Sequence, residues 1–194
     1  MTNPDDMLAE YLAAHTTRLH RKRVLREDLR RRMNVNIGHS AGVVKEIVRY
    51  LQERPELRVV ALFSALPGEV ELHSLLDKIG RIWVFPKVEG EELVFYQVIR
   101  VGQDLKIGEY DILEPKEGLK RYEIPEIDLF LCPGLGFDLK GGRIGRGRGF
   151  YDRVLEKARS GAVKLGVCFG YQLVDETEME MEAHDIRMNG VIAG

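Results

Sequence analysis

The chain has 194 residues, of which 44% are hydrophobic and 31% are charged, and its formal net charge is −2. This length favours one domain with a substantial core, and the near balance of charge excludes a general basic field that would attract nucleic acid. No apolar run approaches the roughly 20 residues that a membrane-spanning helix needs.

The first ten residues are polar and acidic, which is not the pattern of a secretory signal. We treat residues 1–17 as an N-terminal extension of uncertain order and residues 18–194 as a single α/β domain. Cys132 and Cys168 each lie inside an apolar run, which favours buried thiols on strands over a metal or redox pair. We therefore expect a cytoplasmic monomer that binds neither nucleic acid nor a membrane.

Two helices are predicted in the first third of the chain. Residues 18–32 carry apolar side chains among many basic ones, at a spacing that suits an amphipathic helix. Most of these basic side chains are expected to be solvated, with one or two able to reach a phosphate. Ser40 is the expected N-cap of a second helix, which Pro55 closes.

Strand-like and helix-like runs then alternate. The predicted strands are residues 58–66, 82–88, 93–98, 127–132 and 163–169, and the predicted helices are residues 70–79 and 150–159. A turn at residues 89–91 predicts a hairpin between two of the strands. This alternation favours an α/β sandwich with a mostly parallel sheet and some antiparallel pairing at one edge.

The most informative stretch is residues 133–152, between a predicted strand and a predicted helix. It reads Pro-Gly-Leu-Gly-Phe-Asp and, after two residues, Gly-Gly-Arg-Ile-Gly-Arg-Gly-Arg-Gly-Phe-Tyr-Asp. Ligands of open α/β sheets bind at the carboxyl ends of strands, and alternating glycines let backbone N–H groups approach an anion. Arg143, Arg146 and Arg148 carry guanidinium groups that suit phosphate oxygens.

This pattern is neither a Walker A loop nor a dinucleotide-binding fingerprint. It predicts a polyphosphate-binding loop of another kind. Two alternatives stay open at this point: a flexible surface loop with solvated arginines, and a loop that binds RNA phosphates.

Asp152 lies where the glycine-rich loop meets the predicted helix. A carboxylate there can simply favour the helix dipole. Beside a polyphosphate it can instead hold magnesium, which takes one or two protein carboxylates together with phosphates and water. Asp185, which follows His184 near the C-terminus, is a candidate second carboxylate.

Residues 133–152 resemble the 5-formyltetrahydrofolate cyclo-ligase family, also called methenyltetrahydrofolate synthetase. Shorter matches occur in the expected order at residues 22–26, 63–70 and 170–174, followed by His184-Asp185, so the resemblance extends from about residue 20 to the end. It implies a Rossmann-like three-layer α/β/α sandwich. It also implies a C–N bond-forming ligase that uses ATP and Mg²⁺ to convert 5-formyltetrahydrofolate to 5,10-methenyltetrahydrofolate, with release of ADP and phosphate, through a phosphorylated formyl intermediate.

The resemblance also implies roles for individual residues. Those expected to bind ATP are Lys22, Arg23, Arg26, Arg143, Ile144, Gly145, Arg146, Gly147, Arg148, Gly149, Phe150 and Tyr151. Those expected to bind the folate are Ser64, Glu69, Phe150 and Tyr151, with Glu69 on the pterin. Asp152 and Asp185 would hold Mg²⁺, while Arg146, Arg148 and Tyr151 would take part in catalysis.

Two other functions stay open. Met179 and Met181 occupy a region where the family has a proline, which favours a non-catalytic relative that kept the loop. The basic segment 18–32 favours an RNA-associated protein whose affinity would depend steeply on salt. The near-neutral net charge and the absence of a recognised RNA-binding motif count against the second of these.

Overall fold

A computed structural model of the chain describes residues 4–36, 38–108, 111–179, 181 and 185–194. The helices are α1 (Pro4–Val35), α2 (Ser40–Gln52), α3 (Leu75–Lys78), α4 (Val101–Asp104) and α5 (Phe150–Glu156). Short 3₁₀ turns lie at Ile124–Glu126 and Gly170–Gln172. Within these described ranges, no helix is long and apolar enough to cross a lipid bilayer.

Strands make up one large sheet and two small ribbons. In chain order the strands are β1 (Val59–Ala61), β2 (Ile82–Glu89), β3 (Glu92–Gln97), β4 (Leu105–Ile107), β5 (Leu113–Pro115), β6 (Arg121–Tyr122), β7 (Leu129–Cys132), β8 (Gly136–Phe137), β9 (Arg143–Ile144), β10 (Val163–Cys168) and β11 (Gly190–Ala193). The seven-stranded sheet has the order β11-β10-β7-β1-β2-β3-β6, and β4-β5 and β8-β9 form the ribbons.

Most of the large sheet is parallel. Pairing is parallel from β11 through β10, β7 and β1 to β2, and antiparallel at the β2-β3-β6 edge. The predicted hairpin is confirmed, because Glu89 pairs with Glu92 where β2 turns into β3. The α/β class with a mostly parallel sheet and antiparallel pairing at one edge is likewise confirmed.

The two faces of the sheet are covered by different helices. Side chains alternate between faces along a strand, so Leu129 and Leu131 of β7 join one apolar cluster with α2, while Phe130 and Cys132 join another with α5. This alternation explains why β7 reads as a continuous apolar run. The three-layer sandwich predicted from the sequence is the observed architecture.

Both cysteines are free and buried, as predicted. Cys132 lies on β7 and Cys168 on β10. Burial raises the pKa of each thiol to about 12, so both remain protonated at neutral pH.

Several predicted boundaries were wrong. Ser40 is the first helical residue of α2 rather than its N-cap, and its hydroxyl accepts a hydrogen bond from the Glu71 amide at 2.9 Å. Of the predicted strand 58–66, only β1 is observed as a strand. Its pairing with β2 is followed by one more hydrogen bond, from the Leu62 amide to the Val84 carbonyl. The C-terminal strand β11 was not predicted, although it pairs in parallel with β10.

Helix α1 is longer than the predicted segment 18–32 and continues N-terminally to Pro4. Its buried side chains Leu25, Leu29 and Met33 recur at every fourth residue and therefore lie on one face. They pack on Leu135, Ile144 and Met179, in and after the glycine-rich loop. A Cβ atom at Gly136 would lie 2.7 Å from Leu29 Cδ1 and 3.1 Å from the Gln172 carbonyl oxygen, so a larger residue there would force its neighbours to move.

Replacing Leu29 should therefore loosen the contact between α1 and the glycine-rich loop. We expect Leu29→Ala to lower the free energy of unfolding by about 2–5 kcal/mol, because it leaves a cavity at a fully buried site. The measurement is urea unfolding followed by circular dichroism. Leu19→Ala on the same helix, where the side chain is half exposed, should change the stability by less than about 0.5 kcal/mol. Similar losses in the two variants would contradict this packing.

Candidate active site

The candidate site lies at the edge of the sheet where two neighbouring parallel strands end. Strands β1 and β7 are paired in parallel, with Val60 opposite Leu129, so the chain leaves both strands at the same edge. The segment after β1 supplies Ser64 and Glu69, and the segment after β7 supplies the glycine-rich loop. Together they line much of a cavity of about 490 Å³.

The glycine-rich loop is held in shape by its own polar groups. Its ribbon closes through a hydrogen bond from the Leu135 amide to the Ile144 carbonyl at 2.8 Å. The buried carboxylate of Asp138 accepts the amides of Lys140 and Gly142 at 2.7 and 2.8 Å. Gly149, with φ 69°, turns the chain into α5 through a left-handed conformation that favours glycine.

Helix α1 lies along the loop and donates hydrogen bonds to it. Arg26 Nε donates to the Gly145 carbonyl at 3.2 Å, and Arg30 Nη2 is 3.5 Å from the Arg146 carbonyl. Lys22 lies on the buried face of the same helix and is only 9% exposed. The N-terminal helix therefore both supports the phosphate-binding loop expected from the sequence and contributes cations to the cavity.

Three cation–carboxylate pairs line this cavity. Lys22 Nζ is 2.8 Å from Asp185 Oδ2, and Arg143 Nη2 is 2.7 Å from Asp152 Oδ1. The third pair joins Arg146 to Glu69 at 2.8 Å. All six residues line the same cavity, so each of these cations lies beside a carboxylate that the sequence assigns to the site.

The Arg146–Glu69 pair connects the two segments that follow β1 and β7. Arg146 donates from Nε at 3.0 Å and from Nη2 at 2.8 Å, both to Glu69 Oε1. The other carboxylate oxygen accepts the Leu66 amide at 3.0 Å. Burial raises the pKa of Glu69, and the Arg146 charge and the Leu66 hydrogen bond oppose that effect.

Tyr151 lies between the charged part of the cavity and the apolar core. Its ring packs against both main apolar clusters, and the Arg143 guanidinium carbon lies 5.7 Å from the ring centre. Among the described residues, the buried hydroxyl has no hydrogen-bond partner. Burial raises the pKa of this hydroxyl well above its usual value, so Tyr151 stays neutral and can donate a hydrogen bond to a ligand.

The carboxylates of Asp152 and Asp185 suit a magnesium ion. Both line the cavity, and carboxylate oxygens are the ligands that Mg²⁺ prefers. No group of three or more His, Cys, Asp or Glu residues able to hold a metal exists within the described part of the chain. A metal here would take most of its ligands from phosphate and water, which is usual for Mg²⁺ bound with a nucleotide.

Apart from Arg23, the structure brings the sequence-predicted site residues to the cavity. The members that line it are Lys22, Arg26, Ser64, Glu69, Arg143, Ile144, Gly145, Arg146, Gly147, Arg148, Gly149, Phe150, Tyr151, Asp152 and Asp185. Arg23 is exposed on another face of α1, with Nη2 3.3 Å from His20 Nδ1. His184, quoted for the family resemblance, lies outside the described residues.

Sequence reasoning missed most of the apolar lining. These residues are Phe63, Leu66, Pro86, Val88, Leu93, Ile112 and Met179. One signal was available, because Pro86 and Val88 are two residues apart on β2 and therefore share a face, and Leu93 pairs with Val88 across the hairpin. Nothing local in the sequence indicated that this face would meet the glycine-rich loop.

Fold and cavity together define an α/β protein with a cavity at the carboxyl ends of parallel strands. The family model for the 5-formyltetrahydrofolate cyclo-ligase family matches residues 17–194. The chain therefore belongs to the 5-formyltetrahydrofolate cyclo-ligase family, which confirms the resemblance carried by its motifs.

Proteins similar to this chain carry names that belong to the same family. A probable 5-formyltetrahydrofolate cyclo-ligase of Schizosaccharomyces pombe is 29% identical over 171 residues, which cover 80% of this chain and 83% of that protein. The 5-formyltetrahydrofolate cyclo-ligase of Mus musculus is 26% identical, over 88% of this chain and 92% of that protein. The solved structure of Aquifex aeolicus 5,10-methenyltetrahydrofolate synthetase superposes with a TM-score of 0.72 at 31% identity, covering 89% of each chain.

Burial and the Arg146 charge shift the pKa of Glu69 in opposite directions, and this opposition can be tested. Arg146→Gln should raise the pKa of Glu69 further, because it removes the charge that opposes burial. Carbon-13 NMR titration of the Glu69 carboxyl carbon measures this shift. Lys140→Gln, which removes a cation of the same loop paired with Glu176, should leave the titration unchanged. An unaltered Glu69 titration in Arg146→Gln would contradict the observed ion pair.

Proposed function

We propose that this protein converts 5-formyltetrahydrofolate to 5,10-methenyltetrahydrofolate with ATP and Mg²⁺, releasing ADP and phosphate. The observation that carries this proposal is a single cavity lined by two unlike sets of residues. The charged half of the lining comprises three paired cations and the glycine-rich loop, and the apolar half comprises apolar side chains together with Glu69. Family membership supports the same assignment.

The charged half suits the triphosphate of ATP. Lys22, Arg26, Arg143 and Arg146 would face its phosphate oxygens, and guanidinium groups can do so through two parallel hydrogen bonds. When ATP binds, Asp152 and Asp185 would exchange their present cation partners for Mg²⁺. The metal, when bound, would neutralise charge on the phosphates.

The apolar half suits the pterin and the ring that follows it in a folate. Phe63, Pro86, Val88, Leu93 and Phe150 supply apolar contacts there. Glu69 lies beside this surface, and its carboxylate would accept hydrogen bonds from the N–H groups of the pterin. The Ser64 hydroxyl donates to the Leu113 carbonyl, which fixes the wall behind the ligand.

The chemistry follows from placing the two ligands end to end. The formyl oxygen attacks the γ-phosphorus of ATP, the bond to the bridging oxygen breaks, and ADP leaves. The neighbouring secondary nitrogen of the folate then attacks the activated formyl carbon. Phosphate departs with the former formyl oxygen, the nitrogen loses its proton, and the five-membered ring closes.

The protein's contribution is alignment and charge stabilisation rather than covalent catalysis. Phosphoryl transfer depends mainly on in-line positioning and on neutralisation of the phosphate charge. Arg146 and Arg148 line the cavity and would neutralise charge on the γ-phosphate, and Tyr151 would donate its hydroxyl, which has no partner among the described residues, to the reacting groups. The apolar walls would keep water from the phosphorylated intermediate.

A direct assay tests this proposal. Purified protein mixed with 5-formyltetrahydrofolate, ATP and Mg²⁺ should produce the methenyl product, which is followed by its near-ultraviolet absorbance. Omitting ATP, or chelating Mg²⁺, should stop the reaction. No product from folded protein would favour the non-catalytic relative, and tight RNA binding with a steep salt dependence would favour the RNA-associated protein.

Arg146→Ala should slow this reaction about 10- to 100-fold, because a hydrogen bond between charged groups contributes about 1.5–3 kcal/mol. The measurement is kcat/KM for ATP at saturating folate. Lys140→Ala, on the same loop but paired with Glu176 outside the cavity, should retain the rate of the unaltered chain. A wild-type rate in Arg146→Ala would remove this arginine from the mechanism.

A further inference from the structure

The Arg146–Glu69 ion pair differs from the other two pairs of the cavity in what its members would bind. Lys22–Asp185 and Arg143–Asp152 each join a phosphate-facing cation to a carboxylate that suits the metal of the same nucleotide. Opening either of those pairs therefore affects one ligand alone. Both residues line the cavity, and under the proposed function Arg146 would meet the triphosphate and Glu69 the pterin.

We propose that the Arg146–Glu69 ion pair couples the two ligand sites, so that a triphosphate and a pterin-bearing ligand each bind more tightly when the other is present. This inference rests on the proposed function, because it requires that both ligands occupy the cavity. The proposed property is one that the reaction itself does not require: each substrate stabilises the binding of the other before any covalent bond changes.

The first argument is that Oε1 of Glu69 is already occupied while the pair is closed. Its Oε1 accepts two hydrogen bonds from Arg146, which uses both lone-pair directions of that oxygen. Its Oε2 already accepts the Leu66 amide. A pterin N–H group that is to bind Oε1 must therefore displace the guanidinium group.

The second argument is that the two partners differ in freedom to move. The Glu69 side chain is 5% exposed, whereas that of Arg146 is 36% exposed. Gly145 and Gly147 lie on either side of Arg146, and Gly147 has φ 99°, a conformation that favours glycine. The arginine is therefore the partner that can turn towards a phosphate, while the carboxylate stays in the cavity wall.

The third argument is energetic. Arg146 is the one residue that forms an ion pair with Glu69 within the described ranges. Separating a buried carboxylate from such a partner is unfavourable, because the charge is left in a medium of low polarity. A phosphate that takes the Nε and Nη2 donors of Arg146, or a pterin that takes Oε1 of Glu69, has to separate the pair. When both ligands bind, the pair is separated only once. The first ligand therefore bears the unfavourable free energy of separation, and the second ligand binds without it. By linkage, each ligand must then tighten the other by the same factor.

Isothermal titration calorimetry of the full chain can measure this coupling. The two probes are 5-formyltetrahydrofolate and the magnesium complex of the non-hydrolysable β,γ-imido analogue of ATP. The dissociation constant of each is measured alone and with the other at saturation. We expect the constant to fall about tenfold in both directions, which is a typical size for coupling between two sites.

Two variants open the pair from opposite sides. Glu69→Gln removes the carboxylate charge, and Arg146→Gln removes the guanidinium charge together with its two hydrogen bonds to Oε1. In both variants the coupling factor should fall to within about threefold of unity. The coupling factor is the dissociation constant of one ligand alone divided by its dissociation constant with the other ligand at saturation. A substitution that weakens a ligand equally under both conditions therefore leaves the factor unchanged.

Lys140→Gln is the matched control, because it removes a loop cation whose partner Glu176 lies outside the cavity. It should keep the full coupling. A factor near unity in the unaltered chain, or full coupling in either pair variant, would overturn the proposal while leaving the proposed function intact. Failure of the unaltered chain to bind one of the two probes would instead overturn the proposed function, and this inference with it.

Discussion

The parallel pairing of β1 with β7 is the constraint on which the site depends. Because these strands are neighbours and run in the same direction, the two segments that follow them emerge side by side. One segment carries Glu69 and the other carries Arg146, which are 77 positions apart in the chain and joined by hydrogen bonds. The apolar layers on both faces of the sheet hold this arrangement rigid.

The charges of the cavity are arranged as pairs rather than as a region of one sign. A cluster of arginines and a lysine beside a buried cavity would repel one another and destabilise the fold if no carboxylates were present. Asp152 and Asp185 supply two of these carboxylates, each within hydrogen-bond distance of a cation. Under the proposed function the same two carboxylates would also hold the metal that accompanies the phosphates.

The sequence predicted the strands that are apolar on both faces, and their alternation with helices gave the correct layer architecture. Strand β11 was not predicted, because Gly190–Ala193 is short and follows a segment without hydrophobic periodicity. Arg23 was grouped with Lys22 and Arg26 by its place in a motif, whereas the helical twist turns it away from the cavity.

What the sequence determined by itself is the composition of the loop at residues 133–152, because its alternating glycines and arginines are local features that predict an anion-binding backbone before any tertiary contact is known. Only the tertiary structure decided which carboxylate each cation meets and which apolar face completes the cavity. Those contacts join residues far apart in the chain. They are set by strand order and by the packing of α1, which no local pattern of residues encodes.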